Sequence, residues 1–177
     1  MTRAGCFSVA LFALLFLSNC AREISFENFE NFESGSFDAT LFSRGGGGGE
    51  IVSDPEKVVS GGFSAYGKGD SSKSEWCEFL YSDKRKLALK RMATYALTFK
   101  YKAVEQPSNE GFYYFLARSN TGGIKNDEGF TQWSDSTGAS ATKTVFVTLG
   151  NFDDYYFIWG VHGQGALSID DIKILEM

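Results

Sequence analysis

From residue 94 onward the chain alternates. Tyr95, Leu97, Phe99 and Tyr101 share one parity, and Thr94, Ala96, Thr98, Lys100 and Lys102 the other. A period of two with one apolar face predicts a half-buried strand. Residues 112–118 set Phe112, Tyr114, Leu116 and Arg118 against Tyr113, Phe115 and Ala117. Residues 143–149 place Val145, Val147 and Leu149 on one face, residues 155–161 are apolar at both parities as in a central strand, and 166–175 close the chain. Shorter strands are expected at 23–32, 50–52, 58–59 and 63–66. Turn-forming Gly, Asn, Asp and Ser cluster between strands at 106–111, 120–129, 134–140, 150–154 and 162–165. Residues 83–92 are the best helical candidate, although Leu87-Ala88-Leu89 reads equally well as a strand. Eight or nine antiparallel strands joined by short turns predict an all-β chain, a β-sandwich or jelly roll. The glycine run at 45–49 reads as a flexible loop, because the helix with Lys-Ser or Lys-Thr that a phosphate-cradling loop requires does not follow it.

The first twenty residues break this pattern. Arg3 precedes an uncharged apolar run, 9–17. That run is shorter than the roughly 20 residues a bilayer-spanning helix needs, and it ends in small or polar residues, as secretory signals do. Residues 1–20 are therefore expected to be a signal peptide, with 21–177 as one mature domain, secreted or at the cell surface. Leu17-Ser18-Asn19-Cys20 also resembles a bacterial lipobox, with Asn19 where Gly or Ala is preferred. Lipidation of Cys20, giving a membrane anchor, and plain cleavage beside it both stay open. Mass spectrometry of the native protein is expected to find a first residue at Cys20 or within two residues after it, and a diacylglyceryl mass on Cys20 would select the lipoprotein form. An intact Met1 would overturn the assignment.

Composition narrows the function classes. Aromatics reach 16%, with 17 Phe and 8 Tyr, while 20 Gly and 2 Pro suit strands and tight turns. Losing Arg3 with the leader takes the formal charge from −5 to −6, which argues against a nucleic-acid partner. A single His excludes His-rich zinc sites. Cys77 is the one cysteine of residues 21–177, and that domain therefore has no internal disulfide framework. With no His nearby in sequence Cys77 reads as a small buried residue rather than a nucleophile.

Four segments in order resemble the galactose-binding-like jelly roll of carbohydrate-binding modules, of the cellulose- and xylan-binding type. They are Phe32-Glu33-Ser34-Gly35, then Val59-Ser60-Gly61-Gly62-Phe63-Ser64, then Thr94 to Phe99, and finally Gly165 to Ile172. The resemblance spans about 24–175 and leaves 112–133 without a family signature. It implies a glycan-binding domain whose opening Glu33 and closing Asp170 hold a structural calcium ion that ties the termini together. The last strand carries an independent signal. Leu167 and Ile169 have one parity, Ile172 and Ile174 the other, so both pairs face inward only if the strand bulges at Asp170-Asp171. Such a bulge exposes carbonyls beside the Asp170 and Asp171 carboxylates, a hard-oxygen set suited to Ca²⁺.

Sugars stack on aromatic rings, so the three tryptophans are the first ligand candidates. Trp159 lies in the doubly apolar strand and is expected in the core. Trp133, beside long polar loops, is expected to be the exposed platform, and Trp76 divides evenly between core and face. Tyr114 with Arg118 offers a ring plus a forked donor, and Asn120 and Gln132 are candidate hydroxyl partners. The expected function is non-catalytic binding of a polysaccharide or cell-surface glycan. The alternatives are a jelly-roll polysaccharide lyase or glycoside hydrolase, the lyase built on His162, a Tyr and Arg118, or a structural or adhesion module with no clustered exposed aromatics on either sheet.

Overall fold

The computed structural model describes residues 26–70, 72 and 75–177. The expected signal segment and Cys20 lie outside them. Eleven strands form: β1 (Phe26–Glu30), β2 (Phe42–Arg44), β3 (Glu50–Val52), β4 (Ser64–Gly69), β5 (Trp76–Ser82), β6 (Thr94–Glu105), β7 (Phe112–Ser119), β8 (Asn126–Trp133), β9 (Ser140–Thr148), β10 (Tyr156–His162) and β11 (Gly165–Glu176). One sheet runs β3-β4-β11-β6-β9, with β1 also paired to β11, and the other runs β2-β5-β10-β7-β8. All pairings are antiparallel. The architecture is a β-sandwich jelly roll, as the periodicity predicts.

The inner faces follow from the alternation. Tyr95, Leu97, Phe99 and Tyr101 are buried, facing Phe115, Phe157 and Trp159 of the other sheet across a single apolar core. Doubly apolar β10 is the middle strand of the five-stranded sheet. Its second face lies under a smaller cluster of Tyr114, Leu116, Tyr156 and Ile158. The closing strand bulges where its parity slips: the β11–β6 register shifts between Asp170 and Lys173, Asp171 takes φ +46°, and Ile169, Ile172 and Ile174 all point inward.

Other expectations give way to packing. Residues 83–92 form turns rather than a helix or strand, with one α-turn from the Leu87 amide to the Asp83 carbonyl seating Leu87 in the core. Residues 58–59 are not a strand, and β2, β5 and β8 are additional to the expected strands. The glycine run is not a loose loop. The Gly45 amide donates to the Phe79 carbonyl at 2.8 Å and the Gly47 amide to the Glu78 carbonyl at 2.8 Å. A Cβ at Gly45 or Gly49 would collide with the β5 backbone. The run is glycine because it lies flat against β5 at the end of β2.

Candidate functional site

The outer face of the five-stranded sheet carries a ring cluster built from four strands. Trp76 (β5) and Phe130 (β8) are each 47% exposed. Trp76 meets Phe112 at 5.8 Å, Tyr114 at 5.2 Å, Phe130 at 6.3 Å and His162 at 4.5 Å, all edge-on. His162 stacks flat on Phe112 at 4.6 Å, and its Nδ1 is buried without a hydrogen-bond partner among the described residues. Tyr114 lies beneath, fully buried, because Gly160 opposite it leaves room for the ring. Burial pushes the Tyr114 phenol far above its ordinary pKa, and its hydroxyl has no partner among the described residues.

Beside this cluster sits an ionic clamp. Arg118 Nε and Nη2 donate to both carboxylate oxygens of Asp127 at 2.6 and 2.9 Å, and Nη1 donates to Glu78. These bonds, Asp127 first, raise the Arg118 pKa further despite burial. Glu78 also accepts from the Tyr81 hydroxyl at 2.5 Å, and burial followed by that bond pushes Tyr81 up to about 12. Two adjoining grooves cross the face. One, about 300 Å³, is lined by Trp76, Phe130, Leu116, Arg118, Asp127 and Lys125. The other, about 520 Å³, shares Trp76, Glu78 and Lys125 and is walled by Gly46 and Gly47. The packed glycine run thus gives one wall of the groove a bare backbone surface.

The expected ligand residues divide. Trp76, Tyr114 and Arg118 come together here, but Tyr114 is covered and Arg118 is held by two carboxylates instead of being a free donor. Gln132 is exposed on β8 at the pairing position of Tyr114. Asn120 donates its amide to the Tyr156 hydroxyl at 3.1 Å, at the far end of the face. Trp133 does not join the cluster. It pairs with inward-facing Tyr113 and packs on Phe99, Tyr101 and Tyr113 at the edge of the core. Phe130, and His162 as a ring in the cluster rather than a turn residue, escaped the sequence reading. A lyase centre from His162 and Arg118 is opposed by register: they pair with opposite ends of a β7–β10 ladder, six residues apart, or about 20 Å of strand.

The acidic candidates lie on the other sheet. Glu33 Oε1 accepts the Gly62 and Phe63 amides at 2.9 and 3.3 Å. Asp170, fully buried, accepts the Ser64 hydroxyl at 2.8 Å and the Ser60 hydroxyl at 3.2 Å. Burial pushes its carboxyl above the ordinary range. Both acids close on one turn, 60–64. Asp171 reaches the same turn, accepting the Ser60 hydroxyl at 2.9 Å, and also pairs with Lys100 Nζ at 2.7 Å. Among the described residues no group of three or more His, Cys, Asp or Glu side chains is arranged to hold a metal.

No protein-family model and no curated protein matches the chain. Solved structures do. The CBM22-1 xylan-binding domain of Paenibacillus barcinonensis Xyn10C superposes with a TM-score of 0.63 at 11% identity, covering 84% of this chain and 92% of that one. The C-terminal family 22 module of Clostridium thermocellum Xyn10B gives 0.61 at 12% identity, over 88% and 96%. A family 16 carbohydrate-binding module gives 0.53 at 17% identity, over 82% and 95%. At these identities the likeness is one of architecture, and it agrees with the topology above: the chain has the jelly-roll fold of carbohydrate-binding modules.

Proposed function

We propose that this protein is an exported, non-catalytic module that binds a polysaccharide along the outer face of its five-stranded sheet. The observation that carries the reading is the pair of half-exposed rings, Trp76 and Phe130, standing over a groove on that face. Large apolar rings held open to solvent beside polar groups mark a ligand surface. The opposite sheet offers a control. Its exposed Phe29 and Phe146 lie on strands three positions apart, about 14 Å, and form no cluster. A module without a sugar site would resemble that second face on both sides. A glycan panel probed with the purified protein is expected to give saturable binding to at least one plant or microbial polysaccharide, without release of shorter products. Turnover of the bound chain, or silence across the panel, would overturn the reading.

A structural calcium ion at the 60–64 turn belongs to the same proposal. Glu33 and Asp170 would supply carboxylates, and backbone carbonyls would have to complete the shell. An ion bound only by the folded state stabilises it by RT ln(1 + [Ca²⁺]/Kd), roughly 2.7 kcal/mol at a hundredfold excess, or a Tm rise of about 5 °C or more for a chain of this size. Asp170→Asn and Glu33→Gln are each expected to abolish the response. Superimposable melting curves in calcium and in EDTA would make these acids purely hydrogen-bonding groups.

A further inference from the structure

The grooves have an uneven supply of free polar groups. Their carboxylates are already engaged: Glu78 and Asp127 hold Arg118, Asp83 holds Arg85 at 3.1 Å, and Asp70 accepts the Ser72 amide and hydroxyl. Two ammonium groups are not engaged in this way. Lys125 stands where the two grooves meet, beside Trp76 and Glu78, and enters no ion pair among the described residues. Lys84 lies on the Tyr156 ring at 4.5 Å, also without a carboxylate partner among the described residues. It lines a third recess of about 400 Å³ with Tyr81, Asn120 and Tyr156. Tyr81 is common to this recess and the larger groove, so the two are neighbours along one tract.

A neutral sugar hydroxyl both donates and accepts, and is best served by a mixture of free donors and acceptors. Here each carboxylate already has a partner, whereas Lys125 and Lys84 have no carboxylate partner among the described residues. From this we infer that the preferred ligand is an anionic glycan, one whose carboxylate or sulfate groups meet Lys125 and Lys84 while its sugar rings lie on Trp76 and Phe130. The inference rests on the glycan-binding reading of this face and names the ligand class for it. It runs against the net charge of the chain, −5, because contact within a groove depends on the nearest unpaired charges, and more distant ones are screened over about 8–10 Å at ordinary ionic strength. The tract is long enough for two such contacts: the outward positions of β10, Tyr156 to His162, extend over about 20 Å.

The test uses glucuronoxylan, the same polymer after carboxyl reduction, and dextran sulfate, each titrated by calorimetry at low and at high salt. Tighter binding of glucuronoxylan than of its reduced form, weakening with salt, is expected. Dextran sulfate then separates a requirement for carboxylate from one for anionic charge in general. Lys125→Gln and Lys84→Gln are each expected to lower affinity for the charged polymer by up to about fivefold, the scale of an exposed ion pair, and to flatten its salt dependence. For each variant the loss on the charged polymer should exceed the loss on the reduced one. Equal, salt-independent binding of charged and reduced polymers would overturn the inference and leave the glycan-binding reading standing. Binding to any of them that survives Trp76→Ala would instead remove the face itself as the site. No binding of any of the three overturns the inference as well.

Discussion

Trp159→Ala is expected to destabilise the domain by about 3–5 kcal/mol, the range for emptying a large aromatic site in a packed core. The ring is fully buried and touches Phe42, Phe99 and Phe115 at 5.6, 5.7 and 5.1 Å. Phe42 and Phe115 belong to its own sheet and Phe99 to the other, so truncation loosens the contact between layers and no single strand can collapse into the gap. Urea unfolding measures the effect: the midpoint should fall with little change in slope. A loss below about 1 kcal/mol would mean that the two sheets hold together without this ring.

The largest functional effect is expected from Trp76→Ala: a loss of glycan affinity of about 30-fold or more, the scale of a central aromatic anchor, with the melting temperature nearly unchanged. Half of the ring already faces solvent, and its buried edge rests on neighbours that keep their own support: Tyr114 is packed by Leu116 and Ile158, and Phe112 by His162. Trp133→Ala is expected to do the reverse, lowering stability while sparing affinity. Titration of both variants against one bound polysaccharide, with a melt of each, decides the matter. An unaffected Trp76→Ala beside a non-binding Trp133→Ala would move the site to the edge of the sandwich.

That reversal between two tryptophans shows what the sequence made legible. Buried faces within a strand were readable because alternation is local. Tyr95 to Tyr101 and the slip between Ile169 and Ile172 needed no knowledge of a partner, and the slip located the β11 bulge. Trp133 was misplaced because its strand, Asn126–Trp133, opens with turn-forming Asn and Asp and has a Gly in its middle, and its parity is set only by pairing with Tyr113. Arg118 looked like a free fork. The acids that occupy it lie 9 and 40 residues away, and no spacing rule links them. The ring cluster has the same character. Trp76, Phe112, Phe130 and His162 meet only because β5, β10, β7 and β8 are consecutive in the sheet.

The pairing of the first strand with the last also fixes how the domain bears load. Phe26 lies opposite Glu176 and Glu30 opposite Ile172, so residues 26 and 177 leave the sandwich at the same end of one short ladder. A force pulling those two points apart does not shear five pairs at once. It opens them in succession from Phe26–Glu176, as a zipper does, and reaches the Glu27–Lys173 ion pair only as the peeling proceeds. The outer face with Trp76 belongs to the other sheet. Tension applied through the chain ends would therefore detach β1 while the aromatic groove keeps its shape.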